Sequence, residues 1–199
     1  MNIYLIRHGD KMHDHKNHGL LELTEKGVIQ ADLLGQRLTK YNIQRIYSSP
    51  MKRAIQTAEI MNRHLGLEIM IRKELREIHM GAAEVKGWGY LEEQHPEFIK
   101  EYRQYTKDLR FPPDGESIED GWIRARKVID EVISTDLDDV ALVAHGGLIK
   151  SIICGTLGID FSRRFSFGLI ENCGISLIEY NRESNRFRLS IYNDHSHLE

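Results

Sequence analysis

Apolar positions along this chain of 199 residues fall into two rhythms that alternate: short unbroken runs, and sets spaced three and four apart. The runs read as buried strands and the spaced sets as amphipathic helices. The first run, Ile3-Tyr4-Leu5-Ile6, stops abruptly at Arg7-His8-Gly9. Residues 10–23 are polar, rich in His and Lys and without either period, which predicts a loop over the strand's edge. Thr24 then stands as N-cap before Val28, Ala31, Leu34 and Leu38, a spacing that predicts a helix to about Tyr41. Residues 43–47 form a second strand. Ser48-Ser49-Pro50 ends it, offering a cap and a proline at the first position of a helix over 51–65 that Gly66 closes. A further strand over 68–71 leads through Leu75-Arg76-Glu77-Ile78 onto another loop.

Beyond Gly81 the pattern turns irregular. Trp88, Tyr90, Phe98, Tyr102, Tyr105 and Phe111 are scattered among charges, predicting one or two helices that form a cap over 82–113. Pro112-Pro113-Asp114-Gly115 is turn chemistry, after which Glu116-Ser117 opens a helix to Ile133. Val140-Ala141-Leu142-Val143-Ala144, β-branched and uninterrupted, has the character of a central parallel strand. It ends in His145-Gly146-Gly147, and an apolar helix over 148–157 follows. Residues 174–180 and 187–192 alternate about a polar turn and predict a closing antiparallel hairpin. No internal repeat interrupts this order, so the class is α/β, in a single domain spanning 1–199. Leu198 and Glu199 read as a vector remnant and stay outside the fold argument.

Charge narrows the partners. With 27 basic and 30 acidic side chains the net charge is −3, which supplies no global field toward nucleic acid or an anionic membrane. Any anion site must be local. No apolar run approaches the roughly 18 residues a bilayer requires, and no cationic and apolar leader follows Met1, so a cytoplasmic location is expected. Cys154 and Cys173 belong to no CxxC pair and suit reduced core thiols.

Two predicted strands end alike, in Arg7-His8-Gly9 and in His145-Gly146-Gly147. A strand's polar end can simply meet water, and one such histidine is usually structural. A pair beside an arginine is harder to explain by packing. Parallel strands deliver their last residues to the carboxyl edge of the sheet, where open α/β folds bind ligands. If the two strands are neighbours, both imidazoles and a fixed cation share one crevice suited to an anion. Arg53 lies in the first turn of the helix after Ser48-Ser49-Pro50, where backbone N–H groups and the helix dipole also favour negative charge. Its planar donor fork matches phosphate oxygens, and Glu77 brings a proton carrier.

Leu5-Ile6-Arg7-His8-Gly9, Ser48-Ser49-Pro50-Met51-Lys52-Arg53-Ala54-Ile55-Gln56-Thr57-Ala58, Leu75-Arg76-Glu77-Ile78 and His145-Gly146-Gly147, in that order, resemble the histidine phosphatase superfamily, also called phosphoglycerate-mutase-like. Pro113-Asp114-Gly115-Glu116-Ser117 and Asn193-Asp194-His195-Ser196-His197-Leu198 are similar to further segments of that family, so the resemblance spans almost the whole chain. Leu198 fits the closing motif, which leaves Glu199 alone as the remnant. The resemblance implies a three-layer sandwich with a mostly parallel central sheet, a small helical cap and a closing hairpin. It implies His8 as covalent nucleophile, with Arg7, Arg53 and His145 holding the phosphoryl oxygens. Glu77 would protonate the leaving alkoxide and then activate water. No metal or other cofactor is called for, since the cations are built in. The implied partner is a small phosphorylated substrate, with monomer and homodimer both open.

The chain departs from the family in two places. After Arg-His-Gly the family often carries Glu or Gln, Thr or Ser, and an Asn that contacts phosphate; here stand Asp10, Lys11 and Asp14, with Asn17 as a substitute. Glycolytic mutases resemble Glu-Arg-x-Tyr-Gly around the acid, whereas this chain has Glu77-Ile78-His79-Met80-Gly81, which is similar to the phosphatase branch. Glu84 is a second candidate acid, and Gly146 a further candidate beside His145. The expected activity is therefore metal-independent phosphomonoester hydrolysis. Phosphoglycerate mutase-type transfer is the alternative. A metal site of His13, Asp14, His15 and His18 is a rival reading, although consecutive loop residues rarely preorganise one. A non-catalytic phosphate-binding module is another. Trp88, Tyr90, Phe98 and Tyr102, together with Lys11, His13 and Lys16, would select among sugar phosphates, nucleotide-like phosphates and phosphopeptides.

Overall fold

In the computed structural model, which describes residues 1–12 and 20–199, strands and helices alternate through the first third of the chain. They are β1 (Asn2–Arg7), α1 (Glu25–Leu38), β2 (Arg45–Ser48), α2 (Lys52–Asn62) and β3 (Ile69–Ile71). Three short helices follow, α3 (Ala83–Lys86), α4 (Trp88–Gln94) and α5 (Pro96–Tyr102). The long α6 (Ile118–Ile133), β4 (Asp139–Ala144), α7 (Gly146–Leu157) and the hairpin β5 (Ile175–Asn181) and β6 (Arg186–Asp194) complete the order. One sheet runs β3-β2-β4-β1-β5-β6. Its first four strands are parallel, and β5 and β6 are antiparallel. The class is α/β, as the alternation predicts.

The two-residue period of the central strands splits the core. Ile3 and Leu5 of β1, with Val140 and Leu142 of β4, face one side and pack with Val128 and Ile129 of α6 and Leu148 and Ile152 of α7. Tyr4, Ile6, Ala141 and Val143 face the other side, toward Ala31 and Leu34 of α1 and Ala58 and Met61 of α2. Fully burying an aliphatic side chain of this size contributes roughly 1.5–3 kcal/mol, so both faces are firmly covered. Leu198 packs, partly buried, on the second of these faces, while Glu199 is exposed. Both cysteines are free and buried. Among the described residues no helix is long and apolar enough to cross a membrane.

Several element limits differ from the sequence pattern for local reasons. Helix α1 keeps its Thr24 cap, whose side chain accepts from Gly27 N, but stops at Leu38. Helix α2 begins at Lys52 with Met51 as N-cap and no side-chain cap, so Pro50 lies ahead of the helix instead of at its first position. At its other end Arg63 N, His64 N and Leu65 N each bond three residues back, and the α-helix gives way to tighter turns at Asn62. The 82–113 stretch holds three helices, where one or two were expected. Helix α7 starts two residues early, at Gly146, which brings both glycines into its first turn. His13, Asp14, His15, Lys16, Asn17 and His18 lie outside the described residues, and with them the proposed metal cluster and the Asn17 substitute.

Candidate active site

The register of β1 and β4 assembles the centre. Arg7 stands opposite Ala144, and His8 N donates to Ala144 O at 3.1 Å, so His8 and His145 leave the sheet side by side. Both imidazoles are buried, with ring centroids 5.1 Å apart. From β2, paired to β4 on its other side, Ser49 follows directly and sets its Oγ 2.8 Å from His145 Nε2. His145 Nδ1 is buried with no hydrogen-bond partner among the described residues.

Hydrogen-bond chemistry fixes the tautomer of His8. Arg53 Nε donates to His8 Nε2 at 3.1 Å, and a guanidinium can only donate, so Nε2 is the acceptor nitrogen. Nδ1 lies 2.7 Å from Gly9 O, a carbonyl that can only accept, so Nδ1 carries the proton. The neutral ring thus presents its Nε2 lone pair to a cation. Burial, then Arg53, pushes the His8 pKa well below its ordinary value of 6.5. Burial, then His8, does the same to His145. Burial, then Arg53 and Arg7, also lowers the pKa of Lys11, which brings a third cation toward the two neutral rings.

Backbone anchors hold this geometry. Arg7 O accepts from Cys173 N at 2.9 Å, and His8 O accepts from Asn172 Nδ2 at 2.9 Å. Gly9 N donates to Thr57 Oγ1 at 3.0 Å, and that hydroxyl donates to Arg53 O at 2.7 Å, which ties the β1 terminus to α2. A Cβ on Gly9 would come within 2.7 Å of Gly27 O, so only glycine lets the loop pass α1. Arg7 Nη1 donates to Ile170 O at 2.5 Å, while its Nε is buried and has no partner among the described residues. Asp10 accepts from Thr24 Oγ1 at 2.7 Å, so its carboxylate supports the start of α1.

Glu77 joins the centre from the loop after β3. Its Oε1 accepts from Ile78 N at 2.9 Å and Leu148 N at 3.0 Å, and its Oε2 accepts from Gly147 N at 3.2 Å. The first turn of α7 thus seats the carboxyl at its positive end. Glu84 sits beyond, accepting from Met80 N at 3.2 Å, and lines a cavity of about 320 Å³ with Glu77, His79 and Met51. On the other side Arg7, Glu77, Gly146 and Gly147 border a cavity of about 280 Å³. Of the cap aromatics only Tyr102 lines it; Trp88, Phe98 and Tyr102 pack against Phe111 with centroids 5.4–6.4 Å away. Arg7, His8, Arg53, Glu77, His145 and Gly146 therefore converge, Glu84 stands at the rim, and Asn17 is not described. Sequence reasoning missed Ser49, Thr57 and Asn172. The first two sit inside the Ser48 to Ala58 motif, whereas Asn172 carries no local signal at all.

The family profile of the histidine phosphatase superfamily (branch 1) matches residues 3–194. This chain belongs to that superfamily. It is an enzyme of the phosphatase type. Relatives of this histidine phosphatase include "Putative phosphoserine phosphatase 2" of Hydrogenobacter thermophilus, 31% identical over 186 residues that cover 91% of this chain and 90% of the relative. "Phosphoglycerate mutase-like protein 4" of Arabidopsis thaliana is 31% identical over 162 residues, 75% of this chain and 68% of its own. Among solved structures, a mycobacterial glucosyl-3-phosphoglycerate phosphatase superposes with a TM-score of 0.85 at 25% identity, covering 96% of this chain and 98% of its own.

Proposed function

We propose that this histidine phosphatase is a metal-independent phosphomonoesterase of the reducing cytoplasm that hydrolyses a small phosphorylated metabolite through a phosphohistidine on His8. The observation that carries the reading is the His8 tautomer, with Nδ1–H held by Gly9 O and an unprotonated Nε2 that accepts from Arg53 Nε. An imidazole so fixed is a nucleophile at neutral pH and needs no base to free it. Nε2 attacks phosphorus, the P–O bond to the alcohol breaks, and Glu77 passes a proton to the departing oxygen. Its Oε2, with one long contact against two on Oε1, is the oxygen left to carry that proton. Water then attacks the phosphohistidine, the P–N bond breaks, and Glu77 takes the water's proton. Arg7 and Arg53 offset charge on the transferring group, joined by His145 Nδ1–H when Ser49 Oγ–H donates to its Nε2.

Hydrolysis is favoured over mutase-type transfer because position 78, where the mutases' pattern has an arginine to hold a phosphoglycerate, is here a buried isoleucine. Two measurements test the proposal. Hydrolysis of 4-nitrophenyl phosphate should be unchanged by EDTA, since the fixed cations supply the charge a metal would otherwise bring; loss in chelator with recovery on a divalent metal would overturn metal independence. In parallel, 3-phosphoglycerate should yield inorganic phosphate, and its conversion to 2-phosphoglycerate as the main product would select the mutase reading.

A further inference from the structure

The cavity beside Arg7 and Glu77 contains a cation that phosphoryl transfer does not use. Lys150 lies on α7 four residues after Gly146, hence on the same helical face one turn on. Gly146 leaves that face bare: a Cβ there would meet only Arg7, at 3.7 Å. Arg7, the Gly146 backbone and Lys150 therefore follow one another along the cavity wall, leading away from the phosphoryl centre. The half-buried ammonium donates to Phe167 O at 3.2 Å and has no carboxylate in ion-pair reach among the described residues. Burial, then Arg164, lowers its pKa, and a negative charge brought beside it would offset the repulsion from Arg164. The other cation of the cavity, Arg164, is already satisfied: it pairs with Asp108 at 3.1 Å and stacks on Phe165. Phe165 and Leu169 are exposed at the mouth and supply apolar walls.

We propose that Lys150 determines specificity by receiving a carboxylate on the alcohol half of the ester, so that the preferred substrates are small phosphorylated acids. The inference rests on the phosphomonoesterase reading above. One cation without a carboxylate partner, beside the Phe167 carbonyl, balances a monoanion and disfavours a second dianionic phosphate. At about 280 Å³ the space lies near the lower end of ligand pockets, which suits an alcohol of a few carbons better than a nucleoside.

The matched pair 3-phosphoglycerate and glycerol 3-phosphate differs only by a carboxylate in place of a hydroxymethyl group. The wild-type enzyme should favour the acid in kcat/KM by roughly tenfold to a hundredfold, the worth of one charge-assisted hydrogen bond. K150M should collapse that ratio toward one, and K150R should retain most of it. A wild-type ratio of one or below, a K150M ratio equal to wild type, or an equal loss on both substrates would each overturn the assignment, the last by making Lys150 a phosphoryl ligand. Preference for propane-1,3-diol bisphosphate over 3-phosphoglycerate would overturn the carboxylate in favour of a dianion. Should K150M fail to fold, the wild-type and K150R ratios decide alone. Failure of the parent reading is separable: it would show as no hydrolysis of 4-nitrophenyl phosphate, whereas hydrolysis without discrimination sinks only Lys150.

Discussion

A histidine serves as a covalent nucleophile when one nitrogen holds the proton and the other keeps its lone pair, and His8 meets both conditions through contacts to an obligate acceptor and an obligate donor. His8→Ala should therefore abolish turnover together with the phosphoenzyme. In the parent enzyme, alkaline quench and peptide mapping should place one phosphoryl group within residues 1–11, an adduct that acid destroys. His145→Ala removes one oxygen contact, so roughly a 10²–10³-fold fall in kcat is expected instead of total loss. Glu77→Gln should slow alkyl phosphates by roughly 10²–10⁴-fold, and single-turnover bursts with aryl phosphates should suffer less, because a good leaving group needs no proton. Equal losses on both would remove the acid role. His8, Arg53 and Glu77 were legible in the sequence because their chemistry stands out against apolar runs. Asn172 was not, since it acts by donating to a backbone carbonyl, and such a contact requires no particular neighbours in sequence.

Helix ends were legible where a side chain caps them and obscure where that side chain is used elsewhere. Ser117 caps α6 in a full capping box with Asp120, and Thr24 caps α1. Ser49 could have capped α2, but its hydroxyl turns to His145 and to Met51 N, and the helix starts later, at Lys52. The cap gave no clean period because α3 has no aromatic residue and those of α4 and α5 meet one another and Phe111 beyond them, Trp88 against Tyr102 and Tyr102 against Phe111, so no single helical face carries them. Packing between α6 and α7 makes a prediction at this scale. A Cβ on Gly155 would fall 2.1 Å from the Trp122 indole, so G155A must displace a rigid ring system. The expected loss of stability is about 1–3 kcal/mol, read from the urea midpoint, and an unchanged midpoint would mean that the two helices slide freely.

For the whole molecule, two buried neutral imidazoles make stability depend on pH. Both pKa values lie well below 6.5 in the folded chain, so between that value and the folded ones the unfolded chain binds more protons. The stabilisation is complete above pH 6.5 and is lost as the pH falls through the folded values. Each imidazole should contribute up to about 1.4 kcal/mol per pH unit over that window, and urea titrations of the parent and of H8A/H145A should show a shallower slope in the variant. Alternation alone made the α/β class legible; the strand order was not, because β1 pairs with strands more than a hundred residues away. That placement has a consequence for synthesis. Strand β1 leaves the ribosome before either of its partners, β4 and β5, and Met1 is clasped by Tyr180 through both its nitrogen and its carbonyl. At 5–20 residues per second, roughly 7–29 s pass before β4 is completed at residue 144. All that time an apolar strand waits unpaired, a natural client for chaperones. The five residues that carry the chemistry exist once position 145 is reached, yet Ile170, Asn172 and Cys173, which hold Arg7 and His8 in place, come later. A stalled or truncated chain would thus own the reagents without the geometry, and phosphatase activity becomes a property of completed chains.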